Sequence, residues 1–456
     1  MIARLSPMAR KERWSLNASQ VVLLAFLGAI ALGAILLALP ISHTSTPHSW
    51  VDDLFVATSA VCVTGLTPLD VGTSYSLFGQ VVIMLLFQLG GLGYMALFTV
   101  SMLLVGKRLS MRDRLNMQQA TEQPGMQGLI NFGVGILTFT LVVEAVGFLL
   151  LCFSTVPEFG WGSGLYLALF HALSAFNNAG FSLLPEGAMH WQRQEGTLLV
   201  LATLVFIGSL GYTVNHQLVK RYFWRDREPS RWDTLVKLVL TLSAVLVVGA
   251  TALIWLFERH NPATLAELPW HSQFVNSLFM AIMPRSGGLN SLDVTAYDRP
   301  TQMVTMVLMF VGGGPGGTAG GIKLTTVAIV LAALIAAVRG QDDVTLFGLK
   351  RRVGEKIVRK AYTVLALTMF QLVVVVILLA ALEPLPLMPL LFEASSATGV
   401  VGLSLGATPT LSDPSKLLLV VTMIAGRLGM LTVLLALFPT RRRSSIRYAE
   451  EPLLVG

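Results

Sequence analysis

The chain has 456 residues, of which 54% are apolar and only 12% charged, with a mean hydropathy of +0.70 and a formal net charge of +7. A soluble domain carries about 25% charged residues, so these values exclude a soluble enzyme, a disordered chain and a nucleic-acid binder and point to a polytopic α-helical membrane protein. Continuous rather than alternating apolar runs exclude an outer-membrane barrel, and the basic residues sit in short loops between those runs.

In chain order, residues 1–17 form a tail holding Arg4, Arg10, Lys11 and Arg13. The first apolar run, 18–42, is too long at Val21 to Ile41 for a signal-peptide core, and no small-residue cleavage site follows, so it reads as a retained span. Further runs cover 77–106, 128–153, 196–223, 234–257, 301–338, 357–382 and 415–438. Each is long enough for a hydrocarbon core that needs about 20 residues. Between the members of each successive pair lies a shorter, mildly apolar segment that ends in a glycine-bearing polar stretch. Such a segment is too short to span and reads as a re-entrant half-helix with a loop. The expected division is a tail over 1–17, repeats over 18–106, 128–223, 234–338 and 357–438, and a tail over 439–456.

Most lysines and arginines fall in the two tails and in the 107–114, 220–231 and 339–360 loops. The positive-inside rule then predicts that both termini and these loops are cytoplasmic, and that every half-helix enters from outside. The outer side collects acids, among them Asp52, Asp53, Glu158, Glu195, Glu258, Glu383 and Glu393, and few bases. A negative face of this kind raises the local cation concentration.

The four short segments align on one glycine. They read LFVATSAVCVTGL (Leu54 to Leu66), LFHALSAFNNAGF (Leu169 to Phe181), SLFMAIMPRSGGL (Ser277 to Leu289) and LFEASSATGVVGL (Leu391 to Leu403). The shared glycines, Gly65, Gly180, Gly288 and Gly402, are 115, 108 and 114 residues apart. Phe55, Phe170 and Phe392 recur ten positions before the glycine, and Ser59-Ala60, Ser174-Ala175 and Ser396-Ala397 at six and five before it. The third copy is degenerate, with Ile282-Met283 at that register and Phe279 shifted by one. Four copies of span, half-helix, loop and span close naturally around an axis, giving an all-α fold with a central pore and pseudo-fourfold symmetry. Rings of backbone carbonyls replace the water shell of K⁺ without a formal charge. Glycine permits the dihedrals that turn carbonyls inward, and irregular backbone at this depth must line a cavity or be buried in protein.

The pieces CVTGL, FNNAGF, RSGGLN and ATGVVGLS resemble the four selectivity-filter loops of the Trk/Ktr/HKT superfamily of potassium transporters, over nearly the whole chain. Within it the chain is most similar to the KtrB branch, the membrane subunits of bacterial Ktr uptake systems. It starts directly with the first repeat's span and ends shortly after the last, at YAEEPLLVG, whereas TrkH-type chains carry extra N-terminal helices. The resemblance implies a filter built from Val63, Thr64 and Gly65; Asn178, Ala179 and Gly180; Ser286, Gly287 and Gly288; and Val400, Val401 and Gly402, with K⁺ held by carbonyls at the four glycines. RSGGLN departs from the more usual RTAGFN, which predicts looser packing behind the third loop. The resemblance further implies K⁺ as the transported ion, Na⁺ as an activator, a homodimer in the bacterial cytoplasmic membrane, and a cytoplasmic ring of KtrA-type nucleotide-binding subunits. It implies no covalent cofactor.

The sixth run is interrupted by GGGPGGTAGGIK, from Gly312 through Gly313, Gly314, Pro315, Gly316, Gly317, Thr318, Ala319, Gly320 and Gly321 to Lys323. Only eleven residues, Thr301 to Val311, precede it, too few to span. Gly312, Gly314 and Gly317 match GxGxxG formally, but no strand precedes them, and the Walker-like spacing lacks its Gly-Lys-Ser/Thr ending. In the resembled family this segment is the intramembrane loop that gates the pore, and Lys323 and Arg427 match positions near it. A positive charge there hinders K⁺ passage. Arg285, at the end of the third half-helix, is expected to brace the filter by bonding carbonyls or acids behind it. Glu144 is a membrane-depth carboxylate suited either to a pore-helix end or to transport. Asp52, Asp53 and Glu393 are expected to suit half-helix starts. Gly90–Gly93 reads as helix packing or a kink, and Gln88 as a candidate inner-cavity residue. No HExxH or other metal-ligand cluster arises from the seven histidines, and the two cysteines, Cys62 and Cys152, form no framework. The leading expectation is a channel-like K⁺-translocating subunit. The alternative is an alternating-access secondary cation transporter, whose repeats are usually inverted rather than parallel. A membrane enzyme lacks any catalytic constellation here.

Overall fold

The computed structural model describes residues 18–44, 49–105, 128–222, 232–346 and 351–438. Helices α1 (Ala18–Leu37), α2 (Trp50–Cys62) and α3 (Leu77–Val105) come first. Then follow α4 (Gly128–Phe176), α5 (Glu195–Leu210) and α6 (Tyr212–Tyr222). The next group is α7 (Trp232–Glu258), α8 (Trp270–Ile282), α9 (Arg299–Phe310) and α10 (Leu324–Val338). The last is α11 (Glu355–Leu382), α12 (Leu387–Gly399), α13 (Asp413–Leu428) and α14 (Met430–Leu437). Among the described residues the one sheet is a two-residue pair, Thr345–Leu346 with Arg351–Arg352, in the basic 339–360 loop.

The distribution of apolar side chains is that of a protein solvated by lipid. Phe153, Leu141, Val248, Ile35, Phe370 and Ile377 all stand exposed on long helices whose apolar stretches carry few charges. Water would oppose such a girdle, and a hydrocarbon core accepts it. Among the described residues four helices are long and apolar enough to cross a membrane, and six if each bent pair is one span. The chain is a multi-pass α-helical membrane protein.

The short helices lie inside this girdle. Phe55, Phe170, Phe279 and Phe392 are fully buried, so the recurrent phenylalanine of the half-helices is core, and the shift at Phe279 does not remove it. Phe87 of α3 packs edge-on against Phe170 at 5.5 Å between ring centroids. One buried cluster joins α2, α3, α12 and α13 with part of α4, and another joins α4, α5, α7, α8 and α9.

Two departures from the sequence reading follow from glycine. The third run continues past residue 153 without a loop, because α4 carries both the span and the half-helix. Gly160, at φ 79° and ψ 171°, makes the break between them just after Pro157. The second spans are broken as well. Gly93 (φ 68°, ψ 173°) interrupts α3, the kink that Gly90–Gly93 offered, while Gly211 (φ 95°) separates α5 from α6 at a bend of 102° and Gly429 (φ 83°) separates α13 from α14 at 100°. The loop over 311–323 is therefore the longest of four interruptions. The triplets Leu92-Gly93-Tyr94, Leu210-Gly211-Tyr212 and Leu428-Gly429-Met430 are the sequence signal for the other three.

Candidate functional site

Each half-helix ends in the same backbone turn. The residue two before the shared glycine is left-handed in all four copies: Val63 (φ 59°), Asn178 (φ 60°), Ser286 (φ 87°) and Val400 (φ 57°). Among the described residues no other non-glycine residue has positive φ. The conformation costs an L-residue about 1–2 kcal/mol and is a true outlier for valine, so its confinement to these four positions marks one strained motif used four times. The glycines themselves are positive too, at 89°, 71°, 70° and 98° for Gly65, Gly180, Gly288 and Gly402.

These glycines meet. A Cβ built on any one of them would lie within 3.2 Å of the Cα of another. The same test places the carbonyl of Ala179 at 2.7 Å from a Gly65 Cβ and that of Val401 at 2.6 Å from a Gly288 Cβ, with the Thr64 carbonyl against Gly402. Backbone oxygens from the residues before the glycines thus crowd the same narrow space. Gly287 differs: a Cβ there would meet the Met283 sulfur at 2.6 Å and Val205 at 2.8 Å. The departure at this position therefore leaves no looseness behind the third loop, because Met283 and Val205 fill it.

The recurrent serine holds the loop from behind. The N–H groups of Thr64, Ala179 and Val401 donate to the carbonyls of Ser59, Ser174 and Ser396 at 2.7–2.9 Å. Ser59 Oγ and Ser396 Oγ also accept from the N–H of Gly65 and Gly402, both at 3.0 Å, and Ser174 Oγ donates to the Phe181 carbonyl at 2.7 Å. With Ile282 at that register, the third loop has no such hydroxyl, and the Gly287 N–H turns to the Met283 carbonyl at 2.7 Å.

The 312–323 loop packs directly against the glycine loop that follows the fourth half-helix. A Cβ on Gly320 would meet Val400 Cβ at 2.5 Å, and one on Gly321 would meet the Gly399 carbonyl at 3.2 Å. The loop closes on itself through Gly312 N–H to the Ile322 carbonyl (2.9 Å) and Leu324 N–H to the Gly313 carbonyl (3.0 Å). Its other flank docks on the break between α5 and α6. There Gly314 N–H donates to Ser209 (2.8 Å), Tyr212 N–H to Gly316 (3.3 Å) and Thr318 N–H to Gly208 (3.4 Å). Pro315 turns its carbonyl to Gly211, 2.5 Å from where a Cβ would stand. Side chains at Gly312, Gly313 or Gly314 would overlap the carbonyls of Gly320, Ser209 and Leu210. Close backbone approach, more than freedom of motion, explains this glycine content, and only Gly316 and Gly321 have positive φ.

Arg427 ties the loop to its surroundings. Its Nη1 donates to the Thr318 carbonyl and its Nη2 to the Gly90 carbonyl of α3. Lys323 Nζ donates to the Ala319 carbonyl at 2.6 Å. Both cations sit against loop carbonyls, and neither has an acid partner among the described residues.

Glu144 meets a half-helix end, and Asp52 and Asp53 lie in the first turn of α2, as expected, whereas Arg285, Gln88 and Glu393 turn out differently. Arg285 is buried but donates to Ser243 Oγ of α7 at 3.2 Å, and among the described residues no carbonyl of the four glycine loops and no acid receives it. It anchors the end of the third half-helix to a neighbouring span. Glu144 accepts from Gln88 Nε2 (2.9 and 3.0 Å) and from Asn177 Nδ2 (2.9 Å), and Asn177 Nδ2 also reaches Gln88 Oε1 at 2.6 Å. This buried network meets the end of the second half-helix, so Gln88 serves it rather than a cavity. Asp52 pairs with Lys416 at 2.6 Å, and Asp53 accepts from Tyr75 at 2.8 Å, while Ser49 caps α2. Glu393 lies within α12 rather than at its start and accepts from Ser404 and Thr408. Glu158, Glu195, Glu258 and Glu383 likewise accept hydrogen bonds from neighbouring side chains, so much of the outer acid content is structural. The 107–114 loop, both tails and most of 220–231 lie outside the described residues.

Three comparisons place this geometry. The curated relatives include the Ktr system potassium uptake protein B of Bacillus subtilis, 38% identical over 96% of each chain. That of Vibrio alginolyticus is 36% identical over 99% of this chain and 97% of its own. The potassium/sodium uptake protein NtpJ of Enterococcus hirae is 33% identical over 98% and 99%. Among solved structures, the potassium transporter TrkH from Vibrio parahaemolyticus superposes with a TM-score of 0.70 at 17% identity, covering 94% of this chain and 86% of that one. The TrkH family model, described as a cation transport protein, matches residues 11–444, and the chain belongs to that family.

Proposed function

We propose that the protein is a potassium-translocating membrane subunit whose four repeats surround a channel-like pore. The observation that carries this reading is the fourfold recurrence of a left-handed residue two before a glycine, with the four glycines converging. Family membership makes the chain a transport protein and not an enzyme. The names of its relatives supply K⁺ as the ion. Each half-helix presents its C-terminus, the negative end of its macrodipole, to the convergence point, which favours a cation without a fixed carboxylate. Carbonyls preceding the glycines replace water around the ion. The membrane potential supplies about 2.3 kcal/mol per charge per 100 mV to inward movement.

In this reading Gly312–Lys323 is a gate beneath the filter, held in place by Arg427. The repeats span 18–106, 128–223, 234–338 and 357–438, with both termini and the basic loops on the cytoplasmic side of the bacterial inner membrane. Those loops dock a cytoplasmic nucleotide-binding ring, and the subunit works as a homodimer. Na⁺ activation accords with the potassium/sodium name of one relative. Replacing Gly65, Gly180, Gly288 or Gly402 with serine tests the reading, since any side chain there enters the space shared by all four. Flux in proteoliposomes under K⁺ and Na⁺ gradients should show a lowered K⁺ preference or a block for each variant. Unchanged preference in all four overturns the filter assignment.

A further inference from the structure

Ser286 is fully buried at the left-handed position of the third filter loop, and its hydroxyl makes two hydrogen bonds. Oγ donates to the Val400 carbonyl at 2.7 Å and accepts from the Gly320 N–H at 3.1 Å. A hydroxyl has one proton and two lone pairs, so it serves both partners at once. Val400 belongs to the fourth filter loop and Gly320 to the intramembrane loop, 114 and 34 positions away in sequence. A single oxygen thus joins three segments. It stands in the one loop that lacks the backing serine, where Ile282 replaces Ser59, Ser174 and Ser396. At the same register in the second loop, the Asn178 side-chain amide lies 3.2 Å from Thr318 Oγ1 of the intramembrane loop. Val63 and Val400 carry no such group.

We propose that Ser286 is a specificity-determining positioning residue, whose hydroxyl orients the fourth filter loop and links it to the position of the intramembrane loop. The inference rests on the filter and gate reading above. The hydroxyl fixes the Val400 peptide, whose own carbonyl faces Ser286 rather than the ion. The orientation of that peptide sets the direction of the next carbonyl, Val401, which lies in the space shared by the glycines. With the loop in place, the Gly320 N–H fixes the hydroxyl rotor so that its proton points at Val400. When the loop withdraws, that constraint is lost and the Val401 carbonyl gains freedom. Ion preference then depends on the state of the loop.

Three variants separate the hydroxyl from the backbone. Ser286→Ala deletes the hydroxyl and keeps a strained left-handed residue. Ser286→Gly deletes it and relieves that strain. Ser286→Thr restores it, and valine at the matching positions 63 and 400 shows that a β-branched side chain stands in this conformation. The readout is the ratio of K⁺ to Na⁺ flux in proteoliposomes, which a simple loss of folded protein leaves unchanged. Ala and Gly should each lower the ratio by about five-fold, the equivalent of one ordinary hydrogen bond, and Thr should hold it near the parent value. A defect in Ala that Gly repairs assigns the effect to backbone strain and overturns the proposal, as do parental ratios in both. Gly402→Ser is measured beside them. If it and the serine variants of Gly65, Gly180 and Gly288 all leave the ratio unchanged, the filter reading itself fails; if Gly402→Ser lowers the ratio and the Ser286 variants do not, only the inference fails. Combining Ser286→Ala with Arg427→Ala tests the link to the loop. The ratio should fall no further than in the lower single variant, whereas multiplied effects show independent sites and overturn the coupling.

Discussion

Replacing Arg427 with alanine removes two hydrogen bonds from a guanidinium, to the Thr318 and Gly90 carbonyls. If the loop is a gate, only one of them discriminates between its positions. Gly90 belongs to α3 and keeps its place when the loop moves, whereas the Thr318 carbonyl leaves with the loop. A hydrogen bond from a charged group contributes about 1.5–3 kcal/mol net, so losing the Thr318 bond should shift the ratio of seated to displaced loop by roughly 10- to 150-fold. On the gate reading, removing a positive charge near the ion path acts in the same direction. The assay is K⁺ flux into proteoliposomes without the cytoplasmic partner, where the parent should be slow and Arg427→Ala at least about ten-fold faster. Arg427→Lys keeps the charge, but a single ammonium does not reproduce the two-pronged contact, so its flux should fall between the two. An alanine variant that is monodisperse, as heat-stable as the parent and no faster would refute the reasoning. Arg427 would then be a staple between α13, α3 and the loop, with no part in gating.

Two further perturbations test the scaffold. Lys416 and Asp52 form a buried ion pair at 2.6 Å, and losing one partner of such a pair typically costs about 3–5 kcal/mol, so Lys416→Met should lower thermal stability in detergent sharply while Lys416→Met with Asp52→Leu recovers much of it. Gly211 combines φ 95° with a Cβ position 2.5 Å from the Pro315 carbonyl, so Gly211→Ala should destabilise the seated loop by about 1–3 kcal/mol. The expected result is faster partner-independent flux or a lowered melting temperature. Parental values of both would show that the α5–α6 break does not bear on the loop.

The long apolar helices and the positive φ of the four glycines were legible because their signals are local. An apolar run of sufficient length states its solvent, and a glycine at a repeated register states its backbone. The breaks at Gly211 and Gly429 were harder to see than the kink at Gly93, since a single glycine in an apolar run packs or bends depending on its neighbours. Only the recurrent Leu-Gly-Tyr/Met triplet, compared across repeats, carries the signal. Side-chain partnerships were least legible. Arg285 finds Ser243, 42 residues away, and Lys416 finds Asp52, 364 residues away, and no spacing rule joins such pairs. Glu393 sits only two residues beyond the expected helix start in the apolar LMPLLFE, yet the helix begins at Leu387 because Pro386 ends the extended segment before it.

The glycines of the intramembrane loop suggest free movement when read alone, and their packing argues for a more restrained element. Gly312, Gly313 and Gly314 each occupy space that a side chain would fill with a neighbouring carbonyl, and three backbone hydrogen bonds join the loop to residues 208–212. Each bond contributes about 0.5–1.5 kcal/mol net, and a seated loop also gains the Arg427 contact, so displacement opposes several small terms together rather than one flexible hinge. Water entering the vacated space satisfies some of the freed groups and lowers that cost. If the loop is a gate, the remaining cost must keep it seated in the isolated subunit and still let a docked partner displace it through the connected helices. On the gate reading, the closed state is therefore the resting state by construction of the packing. The partner's contribution must reach the loop through α10 on one side or through the α5–α6 break on the other, since these are the segments its backbone bonds join.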